Sequence, residues 1–403
     1  MKRSLFLVIT ALVITFAAFT AFAQNDAAVA GKIVAPPSTV GLPGLRVHTP
    51  LYIVLPDIKP DAPPAGAENP GSLACIYGVT PPTSGCPRSG SPVATGGARA
   101  IAVVDYGHNS TLQADFNTFN TQYGLPTQTL QFICDCGSCP SSNGTGWDVE
   151  TALDTQYAHA MAPHAQIIVA QFCNDPFQDG KSAAEWLAGQ AVAAAGGGEV
   201  SNSFGYGGED PGELSWDQYM TVQGVTYFTS AGDSGLGPDY PSVSPNSSSA
   251  GGTRIVRDGS GNFTGEEDCW NGSGGGISQY EALPQYQLLI GKITSFKRGT
   301  PDIAADASTA SPVAVYSTTG CGGWCAVGGT SVSSPTLAGI VNAAGNFYTS
   351  TLAQQLKEYG EYNRPSLYHK YFYDVTKGSN GSPAKFGWDQ CTGLGTPRNL
   401  GGF

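Results

Sequence analysis

Continuous apolar runs of strand length, each closed by a turn signal, alternate with segments of helical pattern, and this alternation limits the fold more than any other feature. The runs are "RAIAVVDYG" (99–107), "QIIVAQF" (166–172) and "VTYFTSAGDSG" (225–235). Between and after them lie "WDVETALDTQYAHAM", "KSAAEWLAGQAVAAA" and "ELSWDQYMTVQ", each read as a helix. Strands apolar on both faces belong inside a covered sheet, and parallel strands need crossovers of helical length. The expectation is an α/β fold with a mostly parallel sheet and helices on both faces. In such sheets the working residues gather at the carboxyl ends of the strands, where Asp233 of "TSAGDSG" falls.

The two ends of the chain read differently from its middle. Residues 1–23 join Lys2 and Arg3 to an apolar run ending Ala21-Phe22-Ala23, the layout of a secretory signal, which implies a secreted, extracellular protein. Residues 24–67 are rich in Pro, Ala and Gly and read as a leader or arm; residues 68–403 read as the working domain. No later apolar run has the length of a membrane helix. Charged residues make up 12% of the chain and the net charge is −12, so no basic cluster is present to neutralise phosphates and nucleic acid is excluded as a partner. Few charges also means few ion pairs to lose on acidification. Ten cysteines in an exported chain favour disulfides, with the pairing open. "CDCGSC" (134–139) also admits a metal reading, though no second ligand cluster accompanies it.

"CAVGGTSVSSP" places Ser331 at the start of the small-residue helix "SVSSPTLAGIVNAAGNF", with Pro335 expected in the first turn. A serine there has unpaired backbone N–H groups and the positive end of the helix dipole beside it, which favours nucleophilic attack and oxyanion formation. An ordinary Ser/Thr helix cap is the plainer reading. A nucleophilic serine needs a base. The histidines are His48, His108, His159, His164 and His369, and none has a suitable setting; His159 reads as packing or surface. "DVETALDTQ" instead offers Glu150 and Asp154, four apart on one helix face. Two carboxyl groups held close cannot easily both ionise, so one pKa rises and that group becomes a usable base in acid. A solvated acidic face is the alternative.

Taken together, these motifs resemble the sedolisin family of serine-carboxyl peptidases, kumamolisin among them. The resemblance runs from "ENPGSLACIYGV" at Glu68 to the C-terminus and includes "SGGGIS" and "RGTPDIAADA" in order. It implies a subtilisin-like fold, with Ser331 as nucleophile, Glu150 as general base, Asp154 as its orienting partner and Asp233 as the acid of the oxyanion hole. It also implies substrate binding by Ser203 and Gly205 of "VSNSFG", where the family often has Trp in place of Phe204, and by Asp239 of "PDYPSVSP". "YFYDVTKGSN" and "FGWDQCTGLGTP" resemble the family's calcium site, implying Ca2+ held by Asp374, Val375, Gly387 and Asp389, with Lys385 where a glycine usually stands. Family members usually carry a long folded prosegment; here a short arm precedes the matching region. The implied protein is a monomeric, acid-active endopeptidase acting on proteins or peptides, with neither nucleic acid nor membrane as partner.

Three other readings compete. A histidine-dependent subtilase with Asp105 of "VVDYGH" as its acid lacks a placed histidine. A glycosidase using Glu150 and Asp154 fails because neighbours on one helix turn do not flank a sugar. An inactive, calcium-stabilised secreted binding protein would not need all four catalytic positions.

Overall fold

The computed structural model describes residues 29, 31–56, 61–178, 180, 183–293 and 295–403; the signal reading over 1–23 lies outside them. The chain enters through β1 (Gly31–Val34), a short helix α1 (Pro37–Val40) and β2 (Tyr52–Pro56). After α2 (Pro70–Ile76) come β3 (Ala100–Tyr106), α3 (Leu112–Tyr123), β4 (Gln131–Cys134), α4 (Trp147–Met161), β5 (Gln166–Phe172), α5 (Ala184–Ala194), β6 (Gly198–Asn202) and β7 (Val225–Ser230). The second half holds β8 (Ser248–Arg257), β9 (Phe263–Cys269), β10 (Gly276–Ala282), β11 (Lys297–Thr300), β12 (Ile303–Asp306), β13 (Val313–Ser317) and β14 (Gly323–Gly328). It ends with α6 (Thr330–Ala344), α7 (Thr351–Tyr362), α8 (Pro365–Tyr371) and the pair β15 (Phe372–Tyr373) and β16 (Thr396–Pro397).

The central sheet is eight-stranded, in the order β12-β8-β7-β6-β3-β5-β4, with β9 beside β8. Every ladder along that path is parallel and only β9 runs antiparallel. Alternation along β3 and β5 divides the core in two. Ile101, Val103, Ile167 and Val169 pack with Phe116, Leu153 and Leu337 of α3, α4 and α6. Ala102, Val104, Ile168 and Ala170 point the other way, against Ala188 and Val192 of α5. A side-chain period of two thus explains why these strands read as unbroken apolar runs. The expected parallel sheet with helices on both faces is what the chain forms.

Helix α4 is buried along its whole length and lies against α6. The close approach depends on Gly339: a Cβ there would stand 2.6 Å from Met161 Cβ and 2.8 Å from the Ala158 carbonyl oxygen. This crossing carries Glu150 and Asp154 toward the start of α6.

Two expectations need revision. "ELSWDQYMTVQ" forms two short 3-10 turns, Glu213–Ser215 and Asp217–Met220, rather than a helix. Its Trp216 stacks on Tyr206 and Phe177, so tertiary aromatic packing sets the local backbone. Pro335 lies in the second turn of α6, not the first, because the helix begins at Thr330. The described part of the arm over 24–67 is fastened to the body of the chain. Strands β1 and β2 complete an antiparallel sheet of order β1-β2-β14-β13, in which Tyr52, Ile53 and Val54 pair with Gly328, Val327 and Ala326.

All ten cysteines pair: Cys75–Cys86, Cys134–Cys139, Cys136–Cys173, Cys269–Cys391 and Cys321–Cys325. With no free thiol left, "CDCGSC" is a disulfide knot rather than a thiolate metal site. No helix among the described residues is long and apolar enough to cross a membrane.

Candidate active site

Four carboxyl groups and one serine meet where the carboxyl ends of β3, β6 and β7 face the start of α6. Ser331 is the second residue of α6, after Gly329 at the cap and Thr330. Gly329 has φ 125°, a conformation that disfavours any side chain, and a Cβ there would lie 2.6 Å from Asp233 Oδ2. The cap residue has no side chain to serve the first-turn N–H groups, and partners elsewhere take them: Thr330 N–H donates to Asp233 Oδ1 at 2.8 Å and Val332 N–H to the Gly329 carbonyl at 3.0 Å. The Ser331 N–H donates to the Pro50 carbonyl at 3.3 Å. At Pro335 the missing N–H releases the Ser331 carbonyl, which lies 3.5 Å from Ser203 Oγ.

Asp233 follows β7 and is fastened to the same helix start. Its Oδ1 accepts from the Thr330 N–H at 2.8 Å and from Thr330 Oγ1 at 2.9 Å, while Thr330 Oγ1 accepts from the Gly232 N–H at 3.1 Å. Part of the residue reaches the surface, but Oδ2 is enclosed and has no partner among the described residues. Burial pushes the carboxyl up to about 7 against the pull of the two Thr330 bonds. Below that pH it keeps a proton and can donate a hydrogen bond.

Glu150 and Asp154 stand one turn apart on α4, both with no solvent exposure. Asp154 Oδ1 accepts from Ser203 Oγ at 2.8 Å, which fixes its orientation. Glu150 is pushed well above the usual carboxylate range, first by burial and then by the charges of Asp154 and Asp105; the Ser331 hydroxyl acts in the opposite sense. Ser331 is therefore near enough to favour the ionised form. Even so, Ser331 Oγ and both Glu150 oxygens lack a hydrogen bond of ordinary geometry. Asp154 is likewise raised, by burial and by Asp105. The result is a dry cluster that holds protons when isolated carboxyl groups would have lost them.

Asp105, at the end of β3, is the member that sequence reasoning placed elsewhere. It appeared only as the acid of a histidine-dependent site, yet its electrostatic partners are Glu150 and Asp154, and burial pushes it up to about 8. Its position at the end of an apolar run was the available signal. Thr330, which anchors Asp233, was also missed. No histidine bonds to Ser331: His159 is buried and held by Gln128 Nε2 at 2.9 Å and the Pro126 carbonyl oxygen at 2.8 Å, with its pKa lowered to about 4 by burial. The packing role expected of it fits this setting.

Gly205 and Asp239 lie against each other beside this cluster. Asp239 Oδ1 accepts from the Tyr206 and Gly208 N–H groups at 3.1 and 2.8 Å, and a Cβ on Gly205 would lie 2.1 Å from Asp239 Oδ2. Burial pushes Asp239 up to about 7. The Gly205 N–H and carbonyl both pair with the backbone of His48, closing an antiparallel bridge.

The candidate cation loop lies apart, near α8. Asp374 accepts from the Gly387 N–H at 3.0 Å and from Tyr368 Oη at 3.1 Å; Asp389 accepts from the N–H groups of Cys391, Thr392 and Lys385 at 2.8, 2.9 and 3.0 Å. The carbonyl oxygens of Val375, Lys385 and Gly387 receive no hydrogen bond from the described residues. Two carboxylates and three free carbonyls form an all-oxygen donor set of the kind a hard cation takes, so the residues fit calcium. The Lys292 ammonium bonds to the Phe386 carbonyl next to this loop.

The raised carboxyls carry a stability consequence. Asp105, Glu185, Glu199 and Glu358 are pushed up to about 8, and Asp233 and Asp239 to about 7, chiefly by burial. The folded state therefore binds protons more tightly than the unfolded chain, whose carboxyls titrate near 4. Their contribution is complete below about pH 4 and is lost as pH rises through 7 to 8. Thermal melts are expected to show Tm falling by roughly 5–10 °C from pH 4 to pH 8. A flat or rising Tm over that interval would contradict the dry-cluster description.

Comparison with known proteins places this geometry among relatives. No family model matches the chain. It is 30% identical over 298 residues to kumamolisin of Bacillus sp. (strain MN-32), an alignment covering 64% of this chain and 50% of that protein. It is 27% identical over 375 residues to sedolisin of Pseudomonas sp. (strain 101), covering 82% and 60%. The chain thus spans about half the length of the curated relatives it matches. Among solved structures, Pseudomonas sedolisin (serine-carboxyl proteinase) superimposes with a TM-score of 0.66 at 25% identity, over 82% of this chain and 95% of that one.

Proposed function

The chain belongs to the sedolisin family, and from that premise we propose that it is a secreted, acid-active serine-carboxyl endopeptidase of subtilisin-like fold. The observation that carries the proposal is a serine hydroxyl at a helix start beside a buried carboxyl cluster, with no imidazole in contact. Ser331 attacks the substrate carbonyl carbon and Glu150 takes its proton. Asp154, held by Ser203, keeps Glu150 in place and helps keep its proton affinity high. The tetrahedral oxyanion is met by the Ser331 N–H and by protonated Asp233 through its unpartnered Oδ2. Glu150 then returns the proton to the leaving amine, and the acyl group on Ser331 is released by water.

Gly205, Ser203 and Asp239 serve the substrate side: the Gly205 N–H and carbonyl, which pair with His48, are the backbone donor and acceptor that an extended peptide would use in its place, and Asp239 stiffens the loop that follows. Asp374, Asp389 and the carbonyls of Val375, Gly387 and Lys385 would hold calcium, whose positive charge would tie the loop between β15 and β16. It takes no part in the chemical step.

One digest tests the reading. Unfolded protein incubated with the purified chain is expected to be cut at acid pH, fastest around roughly pH 3 to 5. A calcium chelator is expected to lower Tm by several degrees, about 2 kcal/mol or more of lost linkage when the ion is in large excess over its Kd. Absence of cutting at every pH from acid to alkaline would remove the peptidase reading. An unchanged Tm with chelator would remove the calcium site alone.

A further inference from the structure

Just past the carboxyl end of β5, Asp175 has one oxygen fully engaged and the other unused. Its Oδ1 accepts from Tyr206 Oη at 2.7 Å and from the Phe177 and Gln178 N–H groups at 3.0 and 3.3 Å. The side chain is 2% exposed, and the enclosed Oδ2 has no hydrogen bond among the described residues. An ionised carboxylate can accept about four hydrogen bonds, and a buried one short of partners favours a cation beside it. The group facing that oxygen is the Arg46 guanidinium, 3.9 Å away. The same guanidinium lies 3.8 Å from Asp210 Oδ2 and 5.3 Å from the ring centres of both Tyr206 and Trp216.

These groups are held by the body of the chain. Tyr206 and Trp216 stack at 5.1 Å, and Trp216 also stacks on Phe177 at 6.2 Å. The Tyr206 N–H is tied to Asp239 Oδ1 at 3.1 Å, and Asp210 Oδ1 accepts from the Gly212 N–H at 2.7 Å. Two carboxylates and two ring faces thus converge on a place the size of a guanidinium, and each of them attracts a cation. The Arg46 side chain stays 46% exposed there, so the place opens to solvent. Its position along an extended strand is also defined. Arg46 is two residues before His48, whose backbone pairs with Gly205 in both directions, and four before Pro50, whose carbonyl oxygen accepts from the Ser331 N–H. A peptide paired with Gly205 in the place of His48 brings its own residue, two positions earlier, to Asp175 and Trp216.

We propose that Asp175, Asp210, Tyr206 and Trp216 form a subsite for a cationic side chain, arginine or lysine, of the peptide being cut. This rests on the peptidase reading above. The residue selected lies four positions before the one whose carbonyl Ser331 attacks. Arginine suits the place better than lysine, because its planar group covers an aromatic face while its N–H edge meets carboxylates. Glutamate there would set like charge beside Asp175 and Asp210. Glutamine would bring no charge to Asp175 Oδ2. Because the place is half open to solvent, each contact contributes modestly, and the ring faces and carboxylates together correspond to about tenfold in kcat/KM for arginine over glutamine. The subsite binds and selects; it takes no part in bond breaking.

The test uses the full chain and three short peptides that differ only at that position, carrying arginine, glutamine or glutamate. Rates are measured at about pH 5 and low salt, where ordinary carboxyl groups are ionised and weakly screened, and the bond cut is located by mass spectrometry. The expected result is the same cut in all three, with kcat/KM for the arginine peptide about tenfold above the glutamine peptide and the glutamate peptide slowest. Each peptide displaces the same residues 46–48, so the ratio is independent of what that displacement costs. Asp175→Asn is expected to bring the arginine-to-glutamine ratio close to one, and Asp210→Asn, at a more exposed position, to lower it by about threefold. Should Asp175→Asn melt too low to assay, Asp210→Asn decides. Equal rates for the three peptides, a preference for glutamate, or an arginine preference unchanged in Asp210→Asn each overturns the subsite. The two levels separate cleanly: three peptides cut equally well leave the peptidase reading standing, whereas no cutting of any peptide removes both.

Discussion

Replacing Ser331 by alanine is expected to lower hydrolysis of a peptide substrate by about 10⁵–10⁶-fold, the scale on which removing a serine nucleophile acts when its base and oxyanion donors remain. The loss should come without unfolding. Ser331 Oγ is enclosed, belongs to a residue of zero exposure and has no hydrogen-bond partner, so the native fold bears the desolvation of that hydroxyl with no bond in return. Such a group costs about 1–3 kcal/mol, and alanine fits the same rotamer and helix position. The variant's Tm should therefore equal or exceed that of the parent while activity disappears. A lower Tm alongside lost activity would point to a structural serine at the helix start.

Glu150→Gln carries the second large effect. The amide keeps the size of the side chain but cannot accept the Ser331 proton, and the loss expected for a positioned general base is about 10²–10⁴-fold in kcat. Its stability effect has a definite sign. Burial and the charges of Asp154 and Asp105 raise Glu150 above its value in the unfolded chain, so its ionisation as pH rises weighs against the fold. Glutamine removes that ionisation, and the variant should melt higher than the parent at pH 8 and close to it at pH 4. Kinetic loss together with a gain in alkaline stability separates a buried base from a solvated acidic face, where glutamine would change neither quantity much. Activity equal to the parent would exclude Glu150 as the base.

The main sheet was legible because its strands are covered on both faces: β3, β5 and β7 show themselves as unbroken apolar runs, and α4 as a segment with matching length and pattern. Spacing alone put Glu150 and Asp154 on one face of α4, and the strand-end position pointed to Asp233. Asp105 could be seen in the same way, but which carboxyls it would face depends on the packing of α4 over β3, which no local pattern encodes. Pro335 was misplaced by a single turn, since Gly329 rather than a Ser or Thr side chain begins α6. The turn around Trp216 failed for the opposite reason: aromatic contacts with Tyr206 and Phe177 outweigh a helical pattern too short to be stable by itself.

Least legible was the segment 31–56. Its proline, glycine and alanine content lacks the periodicity that identifies a core element, and its structure comes from partners remote in sequence. β2 pairs with β1 of the same segment on one edge and with β14 on the other, while His48 is held by Gly205 and Pro50 by Ser331. A strand held on one edge by a partner about 270 residues away leaves little trace of that pairing in its own composition. The disulfide pairing was equally closed to reading, because spacing leaves many connectivities open until the fold selects one.

The central claim is that carboxyl groups, not an imidazole, make the Ser331 hydroxyl reactive. It is tested most directly by kcat/KM for a short peptide measured across pH 2 to 9 on the fully active protein. The account predicts a maximum in the acid range and a decline of about tenfold per pH unit above roughly 7, as Asp233 loses the proton it donates to the oxyanion. A profile that instead rises through pH 6 to 7 to an alkaline plateau, the signature of a histidine base, would contradict it.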